Sequence, residues 1–197
     1  MTPAHHPSPE VLKAFAQGEL RPAFVIAAGV HVRACSACQS AVDGFETDAG
    51  RALLGHAPEP LPPDSFARTF HRAQEPSVTE GDGGGPIRFG RRRWAAPGVW
   101  VRHAPREVSG SDQLYLLKAP PRFGIHHGHQ GIEFTALLQG SIQDGSDFHA
   151  GDFVEMSEIS EHRPAAGPDG CLCLIASEKP MRARTLAARI AQKLAGA

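Results

Sequence analysis

The chain of 197 residues has no charge of either sign to spare, since 20 Lys and Arg against 21 Asp and Glu leave a formal net charge of −1. Without a positive field it is not drawn to polyphosphate or anionic lipid, so nucleic acid and membrane are set aside in favour of a protein or small-molecule partner. Cysteine is scarce. The 4 present fall as Cys35/Cys38 and Cys171/Cys173, too closely spaced for a disulfide framework, which fits a reducing, cytoplasmic setting. The start, Met1-Thr2-Pro3-Ala4-His5-His6, lacks the basic region and apolar core of a secretory signal. Long apolar runs are also missing, the longest lying near Ala23 to Val30, far short of the roughly 20 residues a spanning helix needs. No internal repeat is evident.

The first 75 residues carry helix punctuation. Ser8-Pro9-Glu10 supplies a hydroxyl cap, a proline where no amide is needed and an acid in the first turn, and Gly18 ends that helix, whose apolar face holds Leu12 and Phe15. A second helix is expected from Pro22 through Phe24, Ile26 and Val30 to His31. A third should run from Ser36 through Val42 and Phe45 to Leu53. After Leu61-Pro62-Pro63, Asp64 can cap a short fourth helix with Phe66, Phe70 and His71.

At the junction of the second and third helices stands His31-x3-Cys35-x2-Cys38, three metal-ligand side chains within eight residues. Zinc takes neutral imidazole and thiolate readily, and Cys-x2-Cys bridges the end of one element and the start of the next. The competing reading is two buried thiols and a surface histidine. A tetrahedral structural site needs a fourth ligand, and its binding energy becomes folding energy for so small a bundle. His5 and His6 can fold back to supply it, with His56 and His71 as competitors, and spacing does not separate His5 from His6.

The N-terminal histidine pair, short helix and His-x3-Cys-x2-Cys core resemble the zinc-binding anti-sigma domain. That resemblance covers roughly residues 1–75 and implies a small all-α bundle with His6, His31, Cys35 and Cys38 as zinc ligands. It also implies a domain that wraps an extracytoplasmic-function sigma factor and blocks its access to core RNA polymerase.

Residues 75–86, with Gly81, Gly83, Gly84 and Gly85, cannot pack and are expected to be a flexible tether, which would leave the two halves free to move relative to each other. From Ile87 to Met181 the pattern changes to short strand-like runs, including Val99-Trp100-Val101, Gln113 to Leu117, Phe153 to Met156 and Gly170 to Ile175, between Gly, Pro and Asp turns. An all-β sandwich or barrel follows. Arg91-Arg92-Arg93-Trp94 reads as a solvated strand edge rather than a nucleic-acid patch. His127, His129 and Glu133 share the parity of one strand face, so one extended segment can deliver three ligands to a barrel interior, with His162 as a distant fourth. Asp152 suits the tight turn before Phe153.

This half is similar to the cupin superfamily, a double-stranded β-helix or jelly-roll barrel. His127, His129, Glu133 and Gly140 match its first motif, and Gly151 and His162 match its second; Pro121, Ser157, Ile159 and Ala166 depart from the pattern. The resemblance implies a second divalent metal, taken as zinc, on His127, His129, Glu133 and His162. Cys171 and Cys173 share a strand face as small core residues or as a redox-sensitive pair. Residues 182–197 are expected to form an amphipathic helix with Leu186, Ile190 and Leu194 on one stripe.

Taken together, the halves resemble the ChrR family of anti-sigma factors. That implies a non-enzymatic regulator whose helical domain sequesters a sigma factor and whose cupin, through a small-molecule signal, senses oxidative stress such as singlet oxygen or organic hydroperoxide. The rival is a cupin metalloenzyme, such as a dioxygenase, with an accessory zinc module.

Overall fold

A computed structural model describes residues 2–74, 87–124, 127–128, 131–156, 161–162, 164–180 and 182–183, with only the backbone for 72–74, 127–128, 161–162 and 182–183. Residues 75–86 and 184–197, which carry the expected tether and most of the expected terminal helix, lie outside the described residues.

Four helices open the chain: α1 (Pro9–Ala16), α2 (Pro22–Ala34), α3 (Ser36–Leu54) and α4 (Ser65–Gln74). Their punctuation follows from local chemistry. The Ser8 hydroxyl accepts the Val11 amide at 3.3 Å, Pro9 fills the first helical position, and Gly18 takes φ +70° just past the end of α1. Pro22 starts α2, and Cys35, extended at φ −120°, breaks the chain between α2 and α3, which bend by 116°. At α4 the Asp64 carbonyl accepts the Arg68 amide and its carboxylate meets the Arg68 guanidinium at 3.3 Å. No single helix among the described residues is long and apolar enough to cross a membrane.

The remainder is antiparallel sheet. β1 (Arg93–Ala96), β2 (Val99–His103), a short α5 (Arg106–Ser109) and β3 (Gln113–Ala119) come first. Then follow β4 (His127–Gly128), β5 (Glu133–Gln143), β6 (Asp147–His149), β7 (Phe153–Met156), β8 (Glu161–His162), β9 (Ala165–Ser177) and β10 (Arg182–Ala183). The large sheet runs β1-β2-β3-β9-β5-β6, with β7 also on β5, and the small one runs β10-β4-β8. Arg182 and Ala183 thus pair with β4 instead of opening a helix. At the sheet edge, Arg92 lies over the Trp94 and Trp100 rings, at 5.9 and 4.7 Å, a stacked surface position.

The helices and the sheet share a core, although the tether predicts independent halves. α2 lays Ala23, Phe24, Ala27 and Ala28 on the sheet face formed by Leu114, Phe134, Ala136, Phe153, Leu174 and Ala176. The Phe24 and Phe134 rings meet edge-on at 4.9 Å. The opposite face gathers Val99, Val101, Tyr115, Leu117, Leu137, Cys171, Cys173 and Ile175. β9 is therefore apolar on both sides because both sides are covered, and α2 is apolar nearly all round because it packs against both sheet and helices. Arg21, just before α2, pairs with buried Asp112 at 3.0 Å and with Glu178 at 2.6 Å. Burial raises the Asp112 carboxyl above its ordinary range, with the Arg21 charge opposing that rise.

Candidate metal centre

The break at Cys35 aims two helices at one point. His31 comes from the last turn of α2, Cys35 from the junction and Cys38 from the first turn of α3. Residues ahead of α1 fold back so that His6 closes the group. One ligand atom from each of His6, His31, Cys35 and Cys38 lies within 4.8 Å of every other.

The detailed distances suit a shared cation. His6 Nδ1 is 3.4 Å from His31 Nε2, 3.4 Å from Cys35 Sγ and 3.4 Å from Cys38 Sγ, and Cys38 Sγ is 3.3 Å from His31 Nε2. One imidazole nitrogen cannot hydrogen-bond three partners at once. Ligands of a tetrahedral ion with bonds of about 2.0 to 2.3 Å stand roughly 3.3 to 3.8 Å apart, as these atoms do. His31, Cys35 and Cys38 are buried.

Protonation is prepared accordingly. His31 Nδ1 donates to the Gly151 carbonyl at 2.7 Å, which fixes the tautomer and leaves the Nε2 lone pair facing the cluster. Burial holds the His31 imidazole below its usual pKa, hence neutral. Burial and the neighbouring Cys35 thiol push Cys38 up to about 11, so the thiol is protonated until a cation displaces the proton.

His5, left open beside His6 by spacing alone, has another task. Its backbone and ring bind Asp152, with the amide 3.1 Å from Oδ1 and Nδ1 3.2 Å from Oδ2. Asp152 also accepts the Ala4 amide at 2.7 Å and the His149 amide at 2.8 Å. These bonds outweigh burial and keep its carboxyl below the ordinary range. His56 and His71 are exposed and stand outside the cluster.

The barrel residues are placed less fully. His127 and His162 are register partners between β4 and β8, Glu133 opens β5 opposite Met156 and Ser177, and His129 lies outside the described residues. Glu133 is buried, and its charge helps to push the buried Tyr115 hydroxyl and Cys173 thiol well above their ordinary pKa values, which places all three together. For Tyr115 burial is the larger cause. For Cys173 the leading cause is its hydrogen bond to Cys171, also buried. Carboxylate and imidazole are donor types that a divalent cation accepts, and β4 and β8 bring the His127 and His162 backbones side by side.

Two features escaped sequence reading. Gly151 and Asp152 reach the helical module, although Asp152 was expected only to serve a turn. His103 also points its Nε2 into the protein with no hydrogen-bond partner among the described residues. The all-round apolarity of Pro22 to Val30 was the available signal for the docking of α2.

No protein-family profile matches the chain. Anti-sigma-E factor ChrR from Cereibacter sphaeroides is 32% identical over 209 residues, covering 98% of this chain and 98% of that protein. The crystal structure of Rhodobacter sphaeroides SigE in complex with the anti-sigma ChrR matches with a TM-score of 0.73 and 28% identity, over 88% of this chain and 98% of that one. An RmlC-like cupin from Ralstonia eutropha is 24% identical over 47% of this chain and 68% of its own, with a TM-score of 0.40.

Proposed function

Because the chain belongs to the ChrR family of anti-sigma factors, we propose that residues 1–75 bind and occlude an extracytoplasmic-function sigma factor in the cytoplasm. Zinc on His6, His31, Cys35 and Cys38 braces that module. A second divalent ion, zinc in our reading, sits on His127, His129, Glu133 and His162, where the barrel receives an oxidative signal and loosens the grip on sigma. The protein is a regulator, and its metals hold shape instead of turning over substrate.

The observation that carries this reading is the closed His2Cys2 cluster, whose four side chains leave no ligand position for substrate. The same helical half also carries an unusual surface. Leu53 and Leu54 at the end of α3, Leu61 in the connection and Phe66 and Phe70 on α4 are all exposed, with the Phe66 and Phe70 rings stacked at 5.9 Å. Large apolar side chains concentrated in this way mark an interaction surface, and α4 presents Phe66 and Phe70, four residues apart, on one face.

Co-expression of the full chain with its cognate extracytoplasmic-function sigma factor should give a stoichiometric complex containing zinc. Replacing Cys35 or Cys38 should release sigma, whereas His127→Ala and Glu133→Gln should keep sigma bound and blunt release by hydroperoxide. Failure of the zinc-loaded chain to bind any such sigma factor would refute the reading. Oxygen consumption with small organic substrates would instead favour the enzyme alternative.

A further inference from the structure

The metal cluster of the helical module borrows its outer support from the barrel. His31 Nδ1 donates to Gly151 O, 120 residues away in sequence, at 2.7 Å. The adjacent Asp152, 2% exposed, binds the amides of Ala4 and His5, and the Phe153 amide donates to His5 O at 3.0 Å. His6 is the next residue along. Both histidine ligands are thus positioned by one turn of the barrel, whereas both cysteine ligands are positioned by the helix junction.

That turn is itself fastened to β5. Gly151 donates to Leu137 O at 2.8 Å, and Leu137 donates to Asp152 O at 3.0 Å. From Asp152 the chain continues as β7, whose last residue, Met156, is the register partner of Glu133. The Phe153 ring lies 5.8 Å from the His31 ring and 5.3 Å from that of Phe134, so side-chain packing follows the same route as the backbone.

We propose that the Gly151–Asp152 turn is a coupling element, in which Asp152 acts as a positioning residue for the N-terminal metal site and β7 links the barrel interior to the affinity of that site. The inference rests on the reading of His6, His31, Cys35 and Cys38 as metal ligands. Second-sphere partners of metal-bound histidine set the tautomer and ring orientation, and losing one typically costs about 10- to 100-fold in metal affinity. Coupling is reciprocal, so metal at the cluster must also hold residues 4–6 against β7. A shift of β7 in the barrel would withdraw support from two ligands of four and leave the thiolates in place.

The test uses the full chain with Co²⁺ as a probe, because thiolate-to-cobalt charge-transfer absorption reports the Cys35/Cys38 site. A control with both Cys35→Ser and Cys38→Ser should abolish the band; a band that survives the loss of both thiolates overturns the metal reading and the coupling with it. With that control satisfied, Asp152→Asn should weaken Co²⁺ and Zn²⁺ binding about 10- to 100-fold in chelator competition. Glu155→Gln, whose carboxylate accepts the exposed Ser8 amide and no ligand residue among the described ones, should stay within about threefold by comparison. Affinity within about twofold of the parent in Asp152→Asn, even with a lowered melting temperature, would make Asp152 mere structural glue and overturn the proposal. A second measurement needs no substitution. Removing metal from the unaltered chain should speed hydrogen exchange at the Phe153 amide, and unchanged exchange there overturns the coupling.

Discussion

Phe66 offers a sharp test of where sigma docks. Its side chain is 81% exposed, so the free chain gains almost nothing from it and Phe66→Ala should shift folding stability by no more than about 0.5 kcal/mol. A phenylalanine buries about 150 Å² at the lower end of the aromatic range, so 81% exposure leaves roughly 120 Å² for a partner to cover. At about 25 cal/mol per Å² full coverage stabilises the complex by about 3 kcal/mol, of which truncation to alanine removes roughly 2. Affinity for the cognate sigma factor should then fall about 30-fold. Phe70, 56% exposed and stacked on Phe66, should lose less alone, and the double variant should lose less than the sum of the two singles, because each single variant already removes the ordering of one ring by the other. Titration calorimetry of the zinc-loaded variants, with melting curves in parallel, separates the two effects. If the double alanine variant binds sigma within about twofold of the parent, the face of α4 is not the docking surface, and the assignment of the exposed apolar patch is wrong.

Other outcomes follow from the shared core and the buried polar groups. Phe24→Ala should cost about 3 to 5 kcal/mol and lower a melting transition common to helix and sheet signals; two separated transitions would show that α2 and the sheet do not stabilise each other. At Gly140, φ is +74° and a Cβ would overlap the Gly170 carbonyl, so Gly140→Ala should destabilise by roughly 3 kcal/mol, read as a loss of about 6 to 12 °C in melting temperature. Burial, aided by the Arg93 charge, holds the His103 pKa below 6.5. The unfolded chain therefore binds the extra proton first, and stability should fall as pH drops below 6.5 toward the folded value. Urea midpoints at about pH 7.5 and 5.5 should differ less in His103→Gln than in the parent, and an identical pH dependence would refute this.

Much of the helical module was legible because its signals are local. Ser8-Pro9, Pro22 and the Cys35 break act within a turn of themselves, and the resulting helices α1 to α3 start at the residues those signals mark. Strand β9 was less legible. The expected run begins at Gly170, yet the strand starts at Ala165, because β9 bulges its residues 167–170 opposite Ser141 between the Gly140–Cys171 and Ile142–Ala166 pairings. Local turn chemistry describes that segment correctly, and long-range pairing decides its element.

The choice between His5 and His6 shows why the site itself stopped short. Both imidazoles are within reach of a metal by chain length, and no spacing rule distinguishes neighbours. What separates them is Asp152, nearly 150 residues later, which captures the His5 ring and the amides of Ala4 and His5 and so presents His6 to the cluster. The same turn shows how two halves joined by a glycine-rich connection still come into contact. A glycine-rich connection permits relative motion but does not require it, and an apolar α2 facing an apolar sheet has more to gain from contact than the tether gains in freedom. On the reading proposed above this arrangement has a consequence: a signal at the barrel need not travel along the connecting chain, because the barrel already touches His31 of the candidate metal cluster through Gly151.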